Sequence, residues 1–214
     1  MTKPLVKYFL ALLILMTFGA NFVVADDSDP VTVSHGYSFF GDLKYPADFA
    51  HLEYVNPTAP KGGEISQWGF GTFDSFNGYA RKGNSASLSS APYETILTSF
   101  ADDITSSYCY LCNTLEYPES RNWAIFNLRE DITFSDGSRL TADDVKFTFE
   151  LFMDQGIPSY RAAVSGMVET IDVIDPFKIK FTFAVDAPRR DVIDLAGGIP
   201  VFSKAWFEDT GARL

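Results

Sequence analysis

Residues 122–150, NWAIFNLREDITFSDGSRLTADDVKFTFE, contain the signals of a strand, a chain reversal and a helix in that order. Trp123–Leu128 places apolar side chains in both alternating sets, which predicts a strand with both faces at least partly covered. Asp136 and Gly137 predict a tight turn, because Gly tolerates positive φ and Asp accepts hydrogen bonds from its own backbone. The segment therefore predicts a β-β-α unit.

The helical part of this segment has a clear start and a clear end. Thr141 is the predicted N-cap, and Asp143 and Asp144 place negative charge at the positive end of the helix dipole. Gly156 and Pro158 are typical of a helix end. Between these signals, one apolar face is formed by Val145, Phe149 and Phe152.

The order and spacing of these residues resemble the signature of family 5 extracellular solute-binding proteins, the peptide, oligopeptide and nickel receptors of ABC importers. Residues 91–96 resemble the family's helix after its first strand, and residues 168–183 resemble its later β-hairpin. The signature identifies a scaffold, because nearly all of its residues serve folding. The matching positions are Phe126, Leu128, Arg129, Phe134, Asp136, Gly137, Leu140, Thr141, Ala142, Asp143, Asp144, Val145, Phe147, Phe149 and Glu150.

Two upstream segments, residues 35–46 and 54–63, look like the Yej-type subgroup, whose oligopeptide receptors are linked to uptake of peptide-nucleotide antibiotics. The resemblance implies a mixed α/β (α+β) fold of the periplasmic binding protein type II kind, a clamshell whose lobes close over a ligand. It also implies capture of a peptide for delivery to the membrane permease subunits of an ABC importer. Neither cargo identity nor peptide length follows from it.

The N-terminus has the pattern of a secretory signal peptide. Lys3 and Lys7 precede an apolar stretch at residues 9–18 that is too short to span a bilayer, and residues 23–25 fit a small-residue cleavage site. We predict a signal peptide at residues 1–25 and a periplasmic mature protein without a direct membrane anchor.

Three further expectations concern organisation. Residues 26–87 are predicted to be the N-terminal segment and first strand of the main ligand-binding domain, and residues 88–214 a small α+β lobe. Since family 5 receptors are far longer, we expect the remainder of the protein to be absent from this chain. We expect a monomer, and a chain that binds peptide weakly or not at all by itself.

The composition limits the classes of partner. The formal net charge is −11, with 46% hydrophobic and 15% aromatic residues. Such an acidic surface repels nucleic acid and anionic lipid, and the apolar content is ample for a folded core. We therefore expect no nucleic-acid partner.

The two cysteines, Cys109 and Cys112, are spaced as C-x-x-C. In an oxidising compartment the pair could close a small loop as a disulfide. The alternative is two unpaired thiols. A metal site needs further ligands, and the two histidines, His35 and His51, are far away in the sequence.

The binding function is expected in a loop that follows a strand. Residues 64–70 are predicted to form the first strand of the main domain, and residues 71–84 a turn-rich loop after it. In the resembling family this segment lies beside the inter-domain cleft, which gives the candidates Gly71, Thr72, Phe73, Asp74 and Asn77. The alternative is an ordinary Asx-type turn with Phe73 and Phe76 in the core.

The rest of the chain gives expectations about the small lobe. A helix is predicted through Tyr93, Ile96 and Leu97, and a further helix is predicted to start at Pro188 and to end at Gly197-Gly198. In the second arm of the 168–183 hairpin, apolar and polar side chains alternate cleanly, which is typical of a sheet packed on one face.

No residue pattern in the chain indicates an enzyme or a cofactor. Neither histidine lies in a nucleophile-elbow or metal-binding pattern, and Gly69 to Gly71 lacks the spacing of a nucleotide fingerprint. We predict binding without chemistry. The alternatives left open are a periplasmic peptidase or hydrolase, a receptor for a non-peptide cargo such as a nickel chelate or an opine, and a purely structural or chaperone-like envelope protein.

Overall fold

The computed structural model of the protein describes residues 29–79 and 82–214, so the predicted signal peptide lies outside the described residues. The described part contains strands and helices in a mixed order. The strands are β1 (Val31–Ser34), β2 (Gly36–Ser38), β3 (Leu97–Phe100), β4 (Asp103–Cys109), β5 (Cys112–Pro118), β6 (Trp123–Leu128), β7 (Val168–Asp175) and β8 (Lys178–Phe183). The helices are α1 (Ala142–Gln155), α2 (Pro158–Val164), α3 (Val192–Gly197) and α4 (Lys204–Thr210).

The strands form two antiparallel sheets that share a corner. The larger sheet has the order β1-β5-β6-β8-β7 and the smaller one the order β2-β4-β3. The chain passes from one sheet to the other at His35, between β1 and β2, and again at residues 110–111, between β4 and β5. The two crossing points are linked, because the amide of Cys109 donates to the carbonyl oxygen of His35 at 2.9 Å. Strands from both sides of residue 88 therefore share these sheets, because β1 pairs with β5 and β2 pairs with β4.

The core lies between the larger sheet and α1. In the β6–β8 pair, Phe126 lies opposite Ile179 and Ala124 opposite Phe181, and all four side chains are fully buried. Phe149 of α1 packs on this layer, with its ring centroid 6.0 Å from that of Phe181. The alternation predicted for Trp123–Leu128 is confirmed, because one face of β6 is buried and the other is half-buried.

The chain reversal and helix cap are confirmed as well. Gly137 has a φ of +86°, and the amide of Ser138 donates to Asp136 Oδ1 at 2.8 Å. Thr141 is the N-cap of α1, where the Asp144 carboxylate accepts from the Thr141 backbone amide at 2.9 Å and from its hydroxyl at 2.8 Å. The helix ends at Gly156, as predicted.

The β7–β8 hairpin is confirmed, with one buried and one half-buried face on β8. Ile179, Phe181 and Phe183 are buried, whereas Lys178 and Lys180 lie on the other face. That outer face carries a polar network across three neighbouring strands. Glu116 Oε1 accepts from Lys178 Nζ at 2.8 Å and from Asn127 Nδ2 at 3.0 Å.

The prediction of a strand at residues 64–70 is wrong. This segment has no regular secondary structure, and none of the described strands pairs with it. Its apolar side chains are exposed, with Ile65, Trp68 and Phe70 all above four-fifths of full exposure. Apolar alternation favours a strand only where another strand supplies backbone partners, and this segment lacks them.

The prediction of a helix through Tyr93, Ile96 and Leu97 is also wrong. Residues 91–96 form turns and an isolated bridge, and Leu97 begins β3. The carbonyl oxygen of Ile96 accepts from the amides of Tyr110 and Leu111, at 2.9 and 3.2 Å. Pairing with β4 and its following loop therefore overrides the local apolar spacing that favoured a helix.

The helix predicted to start at Pro188 begins later, at Val192. The carbonyl oxygen of Pro188 accepts from the amide of Asp191 at 3.0 Å, which closes a turn before the helix. The helix ends with Gly197 and is capped by Gly198, as the sequence predicts.

Candidate functional site

The described residues form an open groove of about 770 Å³. We call it the aromatic groove. It lies between the loop at residues 76–79, the segment 92–94, the turn at 132–136 and the segment 201–214. Its lining residues include Phe76, Asn77, Tyr79, Tyr93, Glu94, Leu111, Phe134, Asp136, Phe202, Trp206, Phe207 and Arg213.

Phe202 forms the centre of an aromatic cluster at the base of this groove. Its ring centroid lies 5.1 Å from that of Tyr93, 5.4 Å from Tyr79 and 5.6 Å from Phe207. These separations are in the range of favourable edge-to-face and offset contacts. The cluster therefore gives the groove a fixed apolar base.

Helix α1 positions Phe202 through a buried threonine. The amide of Phe202 donates to Thr148 Oγ1 at 2.9 Å, and the Thr148 hydroxyl donates to the carbonyl oxygen of Asp144 at 2.7 Å. Asp144 Oδ1 also accepts from the amide of Lys204, the first residue of α4, at 2.9 Å. The helix recognised from the sequence thus anchors the segment that supplies Phe202, Trp206 and Phe207.

Two tyrosine hydroxyls add hydrogen-bonding capacity to the groove. Burial raises the pKa of the Tyr79 hydroxyl further above neutral pH, where a tyrosine is protonated in any case, so the hydroxyl can donate. Within the described part of the chain, no residue forms a hydrogen bond with the hydroxyl of Tyr79 or Tyr93. Such groups can orient a bound ligand while the aromatic rings supply apolar contact.

Each of the carboxylates of Glu94 and Asp136 accepts hydrogen bonds through one of its oxygens. Glu94 Oε1 accepts from the Tyr110 hydroxyl at 3.0 Å. Asp136 Oδ1 accepts from the amide and hydroxyl of Ser138, and these bonds lower the pKa of Asp136. Among the described lining residues there is no histidine or cysteine. The groove therefore offers hydrogen bonds, charge and apolar surface for binding.

The structure brings one of the predicted loop residues to this groove. Asn77 lines it, and Asn77 Oδ1 accepts from the amide of Tyr79 at 2.9 Å, which fixes the loop that carries Tyr79. Asp74 instead closes the loop between residues 74 and 84 by accepting from the amide of Asn84 at 2.7 Å. Gly71, Thr72 and Phe73 are exposed and do not line the groove.

The alternative interpretation of that loop is correct in part. Asn77 does form an Asx-type turn, because its side chain accepts from the amide two residues on, but Phe73 and Phe76 are exposed rather than placed in the core. Their ring centroids are 5.1 Å apart, so they pack on each other. Whether the five predicted residues contact a ligand stays a prediction.

Most of the groove residues were not predicted from the sequence. Tyr79, Tyr93 and Phe202 come from distant parts of the chain, and only tertiary packing brings them together. The clustered aromatic residues Phe202, Trp206 and Phe207 were a usable local signal, because they fall within one short segment.

Cys109 and Cys112 form a disulfide whose Cα atoms are 4.9 Å apart. The bond closes the loop between β4 and β5, and Leu111 of that loop lines the groove. Of the two interpretations left open by the sequence, the structure contains the disulfide.

The described residues form neither a metal cluster nor a membrane-spanning helix. No group of three or more His, Cys, Asp or Glu side chains there is arranged to hold a metal ion. No helix in the described ranges is long and apolar enough to cross a membrane.

Similarity to known proteins supports a binding scaffold. Residues 116–211 match the family described as "Bacterial extracellular solute-binding proteins, family 5 Middle". The chain is 33% identical over 196 residues to the Escherichia coli K12 protein named "Uncharacterized protein YejA", covering 92% of this chain and 32% of that protein.

Two Agrobacterium fabrum proteins are each 35% identical to this chain. They are "Peptidoglycan-binding protein YepA", matched over 79% of this chain and 29% of that protein, and "Probable peptide-binding protein YejA", matched over 82% and 28%. The chain thus spans about a third of the length of these relatives.

A solved structure shares the fold. The oligopeptide-binding protein AppA from Bacillus subtilis, solved in complex with a nonapeptide, aligns over 65% of this chain and 27% of that chain, with a TM-score of 0.51 and 15% identity. The predicted mixed α/β, type II-like fold is confirmed for that part. The chain belongs to family 5 of the bacterial extracellular solute-binding proteins, and within that family to the Yej type.

Proposed function

We propose that this chain is part of a periplasmic receptor that captures peptides and delivers them to an ABC importer. The aromatic groove carries the proposal, because it combines a fixed apolar base, two tyrosine hydroxyls without a hydrogen-bond partner among the described residues, and an ordered Asn77 loop. Extended peptides need both kinds of surface, since their backbone requires polar partners while their side chains require tolerant apolar ones.

The proposed mechanism is enclosure without bond cleavage. A peptide would lie along the groove, and a second lobe of a full-length receptor would close over it. Residues 26–87 would then be the first part of the main domain and residues 88–214 the small lobe, whose sheets β1 and β2 of the first part also join. The closed form would dock on the permease subunits, while export through residues 1–25 would place the receptor in the periplasm.

Two observations support a peptide cargo. One A. fabrum relative is named as a peptide-binding protein, and the B. subtilis structure that shares the fold contains a nonapeptide. Binding rather than catalysis is supported by the relatives, which are named as binding proteins. The A. fabrum relative YepA is named as a peptidoglycan-binding protein, which favours one other cargo, a peptidoglycan fragment.

A thermal-shift screen with mass spectrometry tests the proposal. This chain and the longest reading frame that contains it would be heated with pools of tri- to octapeptides or with muropeptides. A ligand at a hundredfold excess over its dissociation constant adds about 2.7 kcal/mol to the free energy of unfolding. We expect stabilisation of the longer product by peptides that are recovered uncleaved.

Variants connect the stabilisation to the groove. Tyr93→Phe removes one of these two tyrosine hydroxyls and should weaken the shift without lowering the melting temperature of the unliganded protein. Ile174→Ala, at an exposed position of β7, is the matched control and should leave the shift unchanged. Cleaved peptides would indicate a peptidase, and a shift with muropeptides alone would indicate the second cargo. The absence of any shift in the longer product would reject a receptor.

A further inference from the structure

The loop closed by Cys109 and Cys112 holds one edge of the aromatic groove. Leu111, inside the loop, is fully buried and lines the groove. Its neighbour Tyr110 donates through its hydroxyl to Glu94 Oε1 at 3.0 Å, and Glu94 lines the groove as well. The geometry of this small loop therefore determines the placement of two groove residues.

Glu94 connects the same edge to the aromatic cluster. Its carbonyl oxygen accepts from the amide of Val201 at 3.0 Å, directly before Phe202. A shift of the Tyr110 side of the loop would thus reach Glu94 and then the segment that carries the central ring. The path consists of contiguous hydrogen bonds.

Other bonds hold the loop besides the disulfide. The carbonyl oxygen of Leu111 accepts from the amide of Arg129 at 2.9 Å, and that of Tyr110 accepts from Arg129 Nη1 at 3.2 Å. Ile96 accepts from the amides of Tyr110 and Leu111. Breaking the sulfur–sulfur bond should therefore loosen the loop without unfolding the sheets.

The two sulfurs differ in access. Cys112 is buried, whereas Cys109 is half-buried at the end of β4. A dithiol reductant would attack Cys109 Sγ through its thiolate and form a mixed disulfide, while Cys112 leaves as a thiolate and takes a proton. The second thiol of the reductant would then release Cys109 as a thiol. The reductant leaves as a disulfide, and two electrons pass to the protein.

We propose that the Cys109–Cys112 disulfide is a redox-sensitive clamp on the aromatic groove. In the oxidised protein it holds Leu111 and Glu94 in the geometry that binds cargo, and reduction by a protein dithiol loosens that edge. The part of the proposal that concerns cargo affinity rests on the proposed function. Because the hydrogen bonds of Ile96 and Arg129 still hold the loop after reduction, we expect an affinity loss of only about tenfold.

The first test needs no ligand. Hydrogen exchange of the oxidised protein is compared with that of protein reduced by tris(2-carboxyethyl)phosphine. The clamp predicts faster amide exchange at residues 94–97 and 110–112 after reduction, with unchanged exchange in β6 and β8. The variant with Cys109→Ser and Cys112→Ser should show the fast pattern with or without reductant.

The second test measures the binding of the tri- to octapeptide pool to the longest reading frame, oxidised and reduced. The clamp is supported if reduction lowers the peptide affinity of the wild-type protein and leaves that of the double serine variant unchanged. A lower melting temperature with unchanged groove exchange and unchanged affinity would overturn it, because the bond would then be a structural staple. If the oxidised protein binds no peptide, the proposed function fails, and the exchange result alone decides whether the bond holds the groove edge.

Discussion

The phenylalanines of β6 and β8 and the aromatic residues of the segment 64–70 have opposite environments. Phe126 and Phe181 are fully buried, whereas Trp68 is 84% and Phe70 is 91% exposed. Both regions are rich in large apolar side chains. The difference is that β6 and β8 have neighbouring strands and a helix to cover them, while no described strand pairs with residues 64–70. Apolar content alone therefore does not produce a core; a partner layer does.

The largest expected effect is in the buried region. Phe181→Ala should lower the free energy of unfolding by about 3–5 kcal/mol, because the cavity between β8 and α1 cannot fully collapse. Phe70→Ala, the matched control in the exposed segment, should change it by less than about 0.5 kcal/mol. Urea denaturation measures both values. Similar losses for the two variants would contradict the contrast between the regions.

The second effect concerns the corner between the two sheets. Removing the disulfide with Cys109→Ser and Cys112→Ser should cost about 2 kcal/mol, the chain entropy of a four-residue loop. Thermal unfolding of the oxidised protein and the variant measures the loss. Equal melting temperatures would show that the neighbouring hydrogen bonds of Ile96 and Arg129 already fix the loop.

The third effect concerns the cap that connects α1 to the groove. Asp144→Ala removes the acceptor for the Thr141 amide and hydroxyl and for the Lys204 amide. We expect a loss of about 1–3 kcal/mol, since these donors lose a buried partner. Asp144→Asn keeps the shape and one acceptor oxygen, so its loss should be smaller in the same denaturation experiment. An Asn variant as unstable as the Ala variant would contradict this account.

The smallest effect is on the outer face of the sheet. Hydrogen bonds from Lys178 and then from Asn127 lower the pKa of Glu116, so its stabilisation is present above the ordinary Glu pKa and is lost as the pH falls through the lowered value. Glu116→Gln should cost about 0.5–1 kcal/mol at pH 7. Stability measured across pH should show the wild-type advantage disappear in acid. An advantage that persists below the lowered pKa would assign the effect to packing.

Local signals explain why one part of the fold was predictable. The Asp136-Gly137 turn, the Thr141 cap and the β8 alternation each depend on residues close together in sequence, and the structure contains all three. The signals at residues 64–70 and 91–97 were equally local. They failed because the final conformation depends on distant partners, absent in the first case and supplied by β4 in the second.

The candidate site was less predictable for the same reason. Asn77 was found through a family resemblance that pointed to its loop. Tyr93 and Phe202 meet only after the segment 201–207 is anchored on α1 by Thr148. No spacing rule connects residues so far apart, so a groove built from several loops cannot be read from one sequence.

Photo-crosslinking tests the central claim, that cargo binds in the aromatic groove, most directly. A peptide from the thermal-shift screen that carries benzoylphenylalanine would be irradiated with the longest reading frame, and the crosslinked residues identified by mass spectrometry. We predict an intact peptide attached at residues 76–79, 92–94 or 202–207. Crosslinks confined to other parts of residues 29–214, or a cleaved peptide, would contradict the account.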